Sequence, residues 1–103
     1  MASNEFYKIT LRKRASKEYL EAMIWYNERS LKAAENFRTS VDEAFSKIEV
    51  EPDRYRNSYK YFHEFKLRKY PYSIVYFIDK EKVCIVVTTI FHHKRNSGKK
   101  YPG

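Results

Sequence analysis

Cations and tyrosines alternate through the second half of the chain, and this mixture is the most distinctive chemistry in the sequence. Residues 54–70 hold six basic side chains against one acid, and residues 92–103 add four more cations and no acid. Lysine and arginine bind phosphates and tyrosine rings stack on unpaired bases, so single-stranded RNA would suit this pattern better than a rigid duplex. An acidic protein surface would also satisfy it, and charged strand edges can serve only to prevent aggregation. The candidate binding residues are Arg54, Arg56, Lys60, Arg68, Lys69, Lys94, Lys99 and Lys100.

Two adjacent histidines, His92 and His93, are the candidates for proton transfer. Side chains alternate along a strand, so one imidazole should point to each face of a sheet. We expect Lys94 and Arg95 to lower the pKa of the neighbouring imidazole, because positive charge disfavours the protonated ring. A neutral imidazole can accept a proton near neutral pH. The structural alternative is a strand-end histidine that only bonds the backbone; spacing alone favours it for His92 and His93, and favours it more strongly for His63.

The composition excludes several other classes of function. The chain has 103 residues with a net charge of +8, and its 43% hydrophobic content is enough for one folded domain. A lone cysteine, Cys84, permits neither an internal disulfide nor a cysteine-based zinc cage, and we expect it to be a small buried hydrophobe. Neither a glycine-rich phosphate loop nor a HExxH motif is present. With no signal peptide or apolar span in the sequence, we expect a cytoplasmic protein that needs no cofactor or metal.

The first half of the chain is expected to form one strand and a helical hairpin. Residues 6–11 alternate between apolar and polar side chains, which predicts a strand. Apolar residues recur every three or four positions in residues 16–28, with Ser16 as the expected N-cap. Ser30 can cap a second helix, which Pro52 must end because proline cannot donate the next helical hydrogen bond. The short turn between the helices forces them to run antiparallel.

The second half is expected to form an antiparallel meander of three strands. Residues 61–68, 72–79 and 83–91 are rich in aromatic and β-branched side chains, with a polar turn at residues 79–82. The order of elements is therefore strand, helix, helix, strand, strand, strand. This order predicts one α+β domain over residues 1–103, a two-layer sandwich with both helices on one face of the sheet.

The sheet face opposite the helices is expected to be open and to carry the ligand. The prediction requires Lys66, Arg68 and Arg95 to be gathered on that single exposed face. We expect Trp25 to contribute packing rather than recognition. The acidic residues of the helices are expected to be solvated surface charges; they are Glu18, Glu21, Glu28 and Glu35.

Three segments together resemble the RelE/ParE superfamily of bacterial type II toxins. Residues 65–76, FKLRKYPYSIVY, resemble the basic strand, turn and aromatic strand of that superfamily. Residues 85–96, IVVTTIFHHKRN, resemble its last strand, which in many ParE-like plasmid-stabilisation proteins ends His-x-x-Arg-Asn or His-x-x-Arg-Asp. Residues 14–18, RASKE, followed by the IWY of residues 24–26, are similar to its first helix.

The resemblance implies a toxin that is neutralised by an acidic antitoxin, and it leaves two mechanisms open. ParE-like members inhibit DNA gyrase, whereas RelE-like members are mRNA interferases that cleave mRNA on the ribosome without a metal. For the second mechanism, Lys66 would match a basic strand residue and Arg95 the arginine after the last strand. Tyr101 would match a RelE-type tyrosine. His92, His93 or Tyr101 would then exchange the proton, while Lys66 and Arg95 hold the phosphate.

Two departures from the RelE-like pattern favour the gyrase inhibitor. Ser73 stands where RelE-like ribonucleases carry an arginine, and Glu64 stands where a lysine is expected. Losing one such cation costs about 3 kcal/mol of transition-state stabilisation. The sequence therefore favours a ParE-like toxin over an endoribonuclease. A basic nucleic-acid-binding domain without toxin activity is the third hypothesis, which fits the charge but not the resemblance.

Overall fold

The computed structural model describes residues 7–95 and confirms an α+β fold with both helices between the first strand and a strand meander. The meander has four strands rather than the three predicted. The elements are β1 (Lys8–Leu11), α1 (Lys13–Asn27), α2 (Leu31–Val50), β2 (Arg56–Tyr59), β3 (Phe62–Lys66), β4 (Tyr72–Asp79) and β5 (Cys84–His92).

The five strands form one mixed sheet in the order β1-β5-β4-β3-β2. β1 runs parallel to β5, and the remaining neighbours are antiparallel, as hairpin connections require. The additional strand, β2, reads RNSY and lacks the apolar alternation by which strands are predicted. Its turn depends on the Asn57 side-chain amide, which donates to the carbonyls of Lys60 at 3.0 Å and Phe62 at 3.3 Å.

The helix boundaries confirm one predicted cap and correct another. Ser30 caps α2, and its hydroxyl accepts a hydrogen bond from the Ala33 N–H at 2.9 Å. The prediction of Ser16 as the cap of α1 is wrong, because that helix begins at Lys13 directly after β1. Arg12 still donates its N–H to the Val87 carbonyl at 3.0 Å, so the chain passes from the sheet ladder into the helix without a loop.

The main core lies between the helices and the sheet. Phe37 of α2 is fully buried at its centre, with its ring 4.8 Å from that of Tyr26 and 5.3 Å from that of Tyr72. Buried Tyr76 of β4 donates its hydroxyl to the Pro52 carbonyl at 2.7 Å, which ties the sheet to the segment after α2. Neither helix of residues 7–95 combines the length and apolar character that a membrane span needs.

A second, smaller apolar cluster occupies the sheet face opposite the helices. Phe62, Val75 and Phe91 are buried there, and Phe77 packs against them. We expected this face to be open and basic, but its centre is apolar. The reason is that apolar side chains of β3, β4 and β5 lie beside each other in register.

Candidate functional site

The expected gathering of the C-terminal cations on one sheet face is wrong. Lys66 lies on the face opposite the helices, in register with Ser73. Arg68 instead lines a groove beside α2, and Arg95 lines a cleft beside α1. The physical reason is that β3 ends at Lys66 and β5 ends at His92, so strand alternation no longer orients the residues that follow.

Several polar side chains lie close together on the sheet face opposite the helices, at one side of the apolar cluster. Arg56 is in register with Glu64, and Lys66 is in register with Ser73. The hydroxyl of Ser73 and Nε2 of His93 share a hydrogen bond of 2.9 Å. Arg56 and Lys66 are exposed, whereas Glu64 and Ser73 are buried. Of the predicted cations, this face therefore positions Arg56 and Lys66, with the His93 imidazole nearby.

His92 points to the opposite side of the sheet from His93, which confirms the predicted alternation. Its ring meets the Tyr72 ring edge to face, with centroids 5.1 Å apart. Partial burial lowers the pKa of His92, and the charges of Arg95, His93 and Lys94 lower it further. The predicted direction is confirmed, although burial is the larger cause. Nδ1 of this neutral ring accepts a hydrogen bond from the Lys94 N–H at 3.1 Å.

His92 and Arg95 line a cleft of about 80 Å³ that α1 closes with Glu21 and Trp25. Tyr72 forms the floor, and burial raises the pKa of its hydroxyl even though Arg95 acts in the opposite direction. Trp25 packs at the surface rather than in the core: 39% of it is exposed, and its ring meets the Tyr26 ring edge to face with centroids 4.9 Å apart. The guanidinium of Arg29 lies 3.2 Å from the centroid of that indole.

Glu18 corrects the expectation that the acidic side chains of the helices are all solvated. Its side chain is only 13% exposed, and Oε1 accepts hydrogen bonds from Thr89 Oγ1 at 2.6 Å and the Ile90 N–H at 2.9 Å. The other carboxylate oxygen is 3.2 Å from Arg14 Nε. β1 ends at Leu11, opposite Val87, and within residues 7–95 no strand lies beside the edge of β5 beyond that point. Glu18 takes the place of that missing strand.

A groove runs between α2 and the helix-side surface of β3, and it holds three of the predicted binding residues. It consists of two cavities of about 560 and 710 Å³, which share Lys47 and Phe65 as lining residues. Arg54 lies at one end, with a 2.9 Å ion pair to Glu51. Arg68 and Lys69 lie at the other end. Sequence reasoning missed Lys47, because nothing in the periodicity of α2 distinguishes it from other exposed helix cations.

The remaining predicted residues are scattered or outside the described part of the chain. Lys60 occupies the β2–β3 turn with φ near 50°, its Nζ 5.3 Å from the centroid of the Tyr59 ring. Lys94 is exposed after β5. The predictions for Tyr101, Lys99 and Lys100 lie outside residues 7–95.

Two other residues that could suggest a metal or redox site, His63 and Cys84, have structural surroundings. His63 donates Nδ1–H to the Tyr55 carbonyl at 2.9 Å and stacks on Tyr76, so its predicted structural role is confirmed. Cys84 is a free, half-buried thiol at the start of β5 rather than a buried one. Within residues 7–95 no three His, Cys, Asp or Glu side chains cluster as metal ligands would.

A mixed sheet with a helical hairpin on one face is the fold that this chain shares with solved structures of a ParDE system and of the RelE toxin. The family model described as "ParE toxin of type II toxin-antitoxin system, parDE" matches residues 9–97. The chain therefore belongs to the ParE toxin family.

Solved structures with the same fold come from both branches of the superfamily. A chain of the chromosomal ParDE system from P. aeruginosa has a TM-score of 0.72 at 12% identity, covering 84% of this chain and 96% of that one. The isolated E. coli RelE toxin has a TM-score of 0.53 at 23% identity, with 86% of each chain covered. RelE in the intact E. coli RelBE complex gives 0.52 at 24% identity, covering 86% and 99%. No curated protein sequence matches this chain.

Proposed function

We propose that this toxin arrests growth by binding and inhibiting DNA gyrase, and that an acidic antitoxin relieves the inhibition in the bacterial cytoplasm. Gyrase inhibition is what the ParE-like resemblance implies, and the match to the ParE toxin family over residues 9–97 supports it. The net charge of +8 supports an acidic partner. The structural relative RelE is found in complex with its antitoxin RelB, which supports a partner of the same kind here.

We favour a toxin that acts by binding over one that cleaves RNA, because the candidate catalytic groups lie apart from each other. Lys66 and His93 lie on the sheet face opposite the helices, whereas His92 and Arg95 line the cleft beside α1. RNA cleavage without a metal needs a base, an acid and cations around one phosphate. The two pairs lie on opposite faces of the sheet, which is not the arrangement that one shared phosphate requires. A toxin that acts by binding has no such requirement.

A supercoiling assay with purified gyrase tests this proposal. Relaxed plasmid, ATP and gyrase are incubated with increasing amounts of the toxin, and we expect supercoiling to be lost at a toxin concentration comparable to that of gyrase. We expect the antitoxin to be a small acidic protein encoded directly beside the toxin, and preincubation with it should restore supercoiling. Undiminished supercoiling at saturating toxin would reject the gyrase target.

A RelE-like ribonuclease is the second candidate, and one observation favours it. Lys66, Ser73 and His93 lie side by side at one end of the sheet face opposite the helices, so a cation and an imidazole lie near each other there. As a general acid or base, His93 would contribute about 10²–10⁴-fold to the rate. In a reconstituted translation system, the ribonuclease would produce codon-phased mRNA cuts that His93→Gln slows by that factor. The gyrase inhibitor would produce no cuts with either protein.

A further inference from the structure

The side of α1 that faces away from the core carries two exposed apolar residues. Leu20 is 60% exposed and Ile24 is 51% exposed, and they lie one helical turn apart. At about 100° per residue, they fall on the opposite side of the helix from Ala15 and Ala22, which are buried in the core. Two large apolar side chains that lie together at the surface are a candidate contact for a partner.

A lysine and a glutamate lie at the two ends of this apolar pair. Lys17 precedes Leu20 by one helical turn, and Glu28, the C-cap of α1, follows Ile24 by one turn. The four side chains fall within a sector of about 80° around the helix axis, which we call the outer face of α1. Lys17 and Glu28 are exposed, and within residues 7–95 neither belongs to an ion pair.

The outer face of α1 is complementary to itself when two copies of the helix run antiparallel. A two-fold axis at the level of Ala22 places Leu20 of each copy beside the partner's Ile24. Lys17 lies about 8 Å from that level along the helix axis and Glu28 lies about 9 Å from it on the other side. Each lysine therefore meets the partner's Glu28, and the contact contains two such pairs.

The charges of α1 also oppose the dipole of their own helix. The first turn contains Lys13 and Arg14 and no acid, and the last turn contains no base but is followed by Glu28. A cation near the N-terminus of a helix and an anion near its C-terminus are both unfavourable within that helix. In an antiparallel pair the dipole of the second helix is reversed. The arrangement that is unfavourable in one copy is therefore favourable between two copies.

We propose that the outer face of α1 binds a second copy of this chain, so that the toxin forms an antiparallel dimer through α1. The distribution of charge is the reason for choosing this occupant. Residues 13–50, which form the helical hairpin, hold seven basic and seven acidic side chains, so the net charge of +8 comes entirely from the rest of the chain. Two copies with the same positive charge repel each other least where each is neutral, whereas an acidic protein or a nucleic acid is attracted to the basic half.

The size of this contact predicts a reversible dimer. With its 15 residues, α1 is about 22 Å long and about 10 Å wide. An α1–α1 contact along this length buries on the order of 500 Å² of each copy, which is at the lower end of the range for specific interfaces. We therefore expect dimers to form at micromolar concentrations of the toxin and to dissociate on dilution.

Sedimentation equilibrium of the purified full-length toxin, from about 1 μM to about 1 mM, tests this proposal. We expect the mass to rise from that of one chain to that of two and no further, because a two-fold contact is closed. Ile24→Glu should raise the dissociation constant of the dimer by about 100-fold or more, since it brings two carboxylates into the apolar centre. The matched control is Val50→Glu, at a residue 59% exposed near the end of α2, which should change it by less than about threefold.

A charge exchange tests the antiparallel arrangement. Lys17→Glu should raise the dissociation constant by about tenfold, because it faces the partner's Glu28 with a like charge. Lys17→Glu combined with Glu28→Lys should restore it to within about threefold of the unmodified toxin. The two positions lie about 16 Å apart along one helix, so a contact within a single copy cannot account for the restoration.

Circular dichroism and thermal melts verify that each variant is folded; should Ile24→Glu unfold, Leu20→Gln with Ile24→Gln removes the apolar contact without adding charge. A toxin that keeps the mass of one chain at about 1 mM would overturn the proposal. So would a dimer that Ile24→Glu and Val50→Glu weaken equally, or one that the charge exchange fails to restore. If the toxin is monomeric and Ile24→Glu abolishes its inhibition of supercoiling or its binding to the antitoxin, the outer face of α1 binds that partner and not a second copy.

Discussion

The two helices contact the sheet in different ways. Helix α1 lies directly against β5, where the Glu18 carboxylate accepts hydrogen bonds from Thr89 and Ile90. Helix α2 instead leaves a basic groove along β3, which is lined by Lys47 and Phe65. At the first contact the polar groups of helix and sheet satisfy each other. At the second contact the cations remain exposed to solvent. The same helical hairpin therefore stabilises one side of the sheet and leaves a surface for binding at the other. Substitutions should separate the two roles, with stability changing at one side and affinity at the other.

The largest effect on stability should come from Phe37, because it joins both helices to the sheet. Its ring contacts those of Tyr19, Tyr26, Tyr70 and Tyr72. Phe37→Ala should lower the free energy of unfolding by about 3–5 kcal/mol, through lost apolar burial and the cavity left behind. Urea denaturation followed by circular dichroism measures this change. A loss below about 1 kcal/mol would show that the hairpin does not depend on this aromatic cluster.

A smaller loss is expected at Glu18, where α1 replaces a strand beside β5. Glu18→Ala should lower the free energy of unfolding by about 2–3 kcal/mol, because the Thr89 hydroxyl and the Ile90 N–H lose a charged acceptor. Glu18→Gln keeps an acceptor oxygen and should cost about half as much. The matched control is Glu35→Ala on the exposed surface of α2, which should change stability by less than about 0.5 kcal/mol. Equal effects at the two glutamates would contradict the role of Glu18.

His92 should make the α1 side of the molecule sensitive to acid. Its pKa is lowered in the folded protein, chiefly by burial, so below pH 6.5 the unfolded chain binds the additional proton. The contribution of His92 to stability is therefore fully present above pH 6.5 and is lost as the pH falls through the folded pKa. In His92→Gln this part of the pH dependence should disappear. Thermal melts of both proteins between pH 4 and pH 8 measure the difference, and parallel curves would contradict the lowered pKa.

The smallest effect on stability should come from the groove itself. Lys47→Ala with Arg68→Ala should change the free energy of unfolding by less than about 0.5 kcal/mol, because both side chains are exposed and lie at the rim. If the free energy of unfolding fell as much as in Glu18→Ala, these cations would stabilise the fold and would not be available to bind a partner. Urea denaturation of the variant beside the unmodified protein checks this.

The fold could be predicted from the sequence wherever local patterns decide it. Apolar periodicity, the Ser30 cap and the stop at Pro52 together specify the helical hairpin and the strands that follow it. β2 could not be predicted, because RNSY is polar and its pairing depends on the Asn57 side chain in the turn. The start of α1 was predicted three residues too late, since the helix continues directly from the sheet ladder without a side-chain cap.

The candidate site could be predicted only in part, because its cations lie where periodicity ends. The alternation of side chains along a strand correctly predicts that His92 and His93 point to opposite faces of the sheet. His92 is the last residue of β5, and His93 follows it directly. Arg68 and Arg95 lie beyond strand ends, where the turn geometry and not the strand period sets their direction. The contact of Glu18 with β5 joins residues 71 and 72 positions apart, and no local signal marks it.

Mapping of mRNA 5′ ends in arrested cells tests most directly whether this toxin binds its target without cleaving RNA. The toxin is expressed briefly without its antitoxin, growth arrest is verified, and primer extension is carried out on several abundant transcripts. The separation of Lys66 and His93 from His92 and Arg95 predicts intact transcripts in fully arrested cells. Codon-phased cuts that vanish with Arg95→Ala would contradict this and would identify a ribosome-dependent ribonuclease.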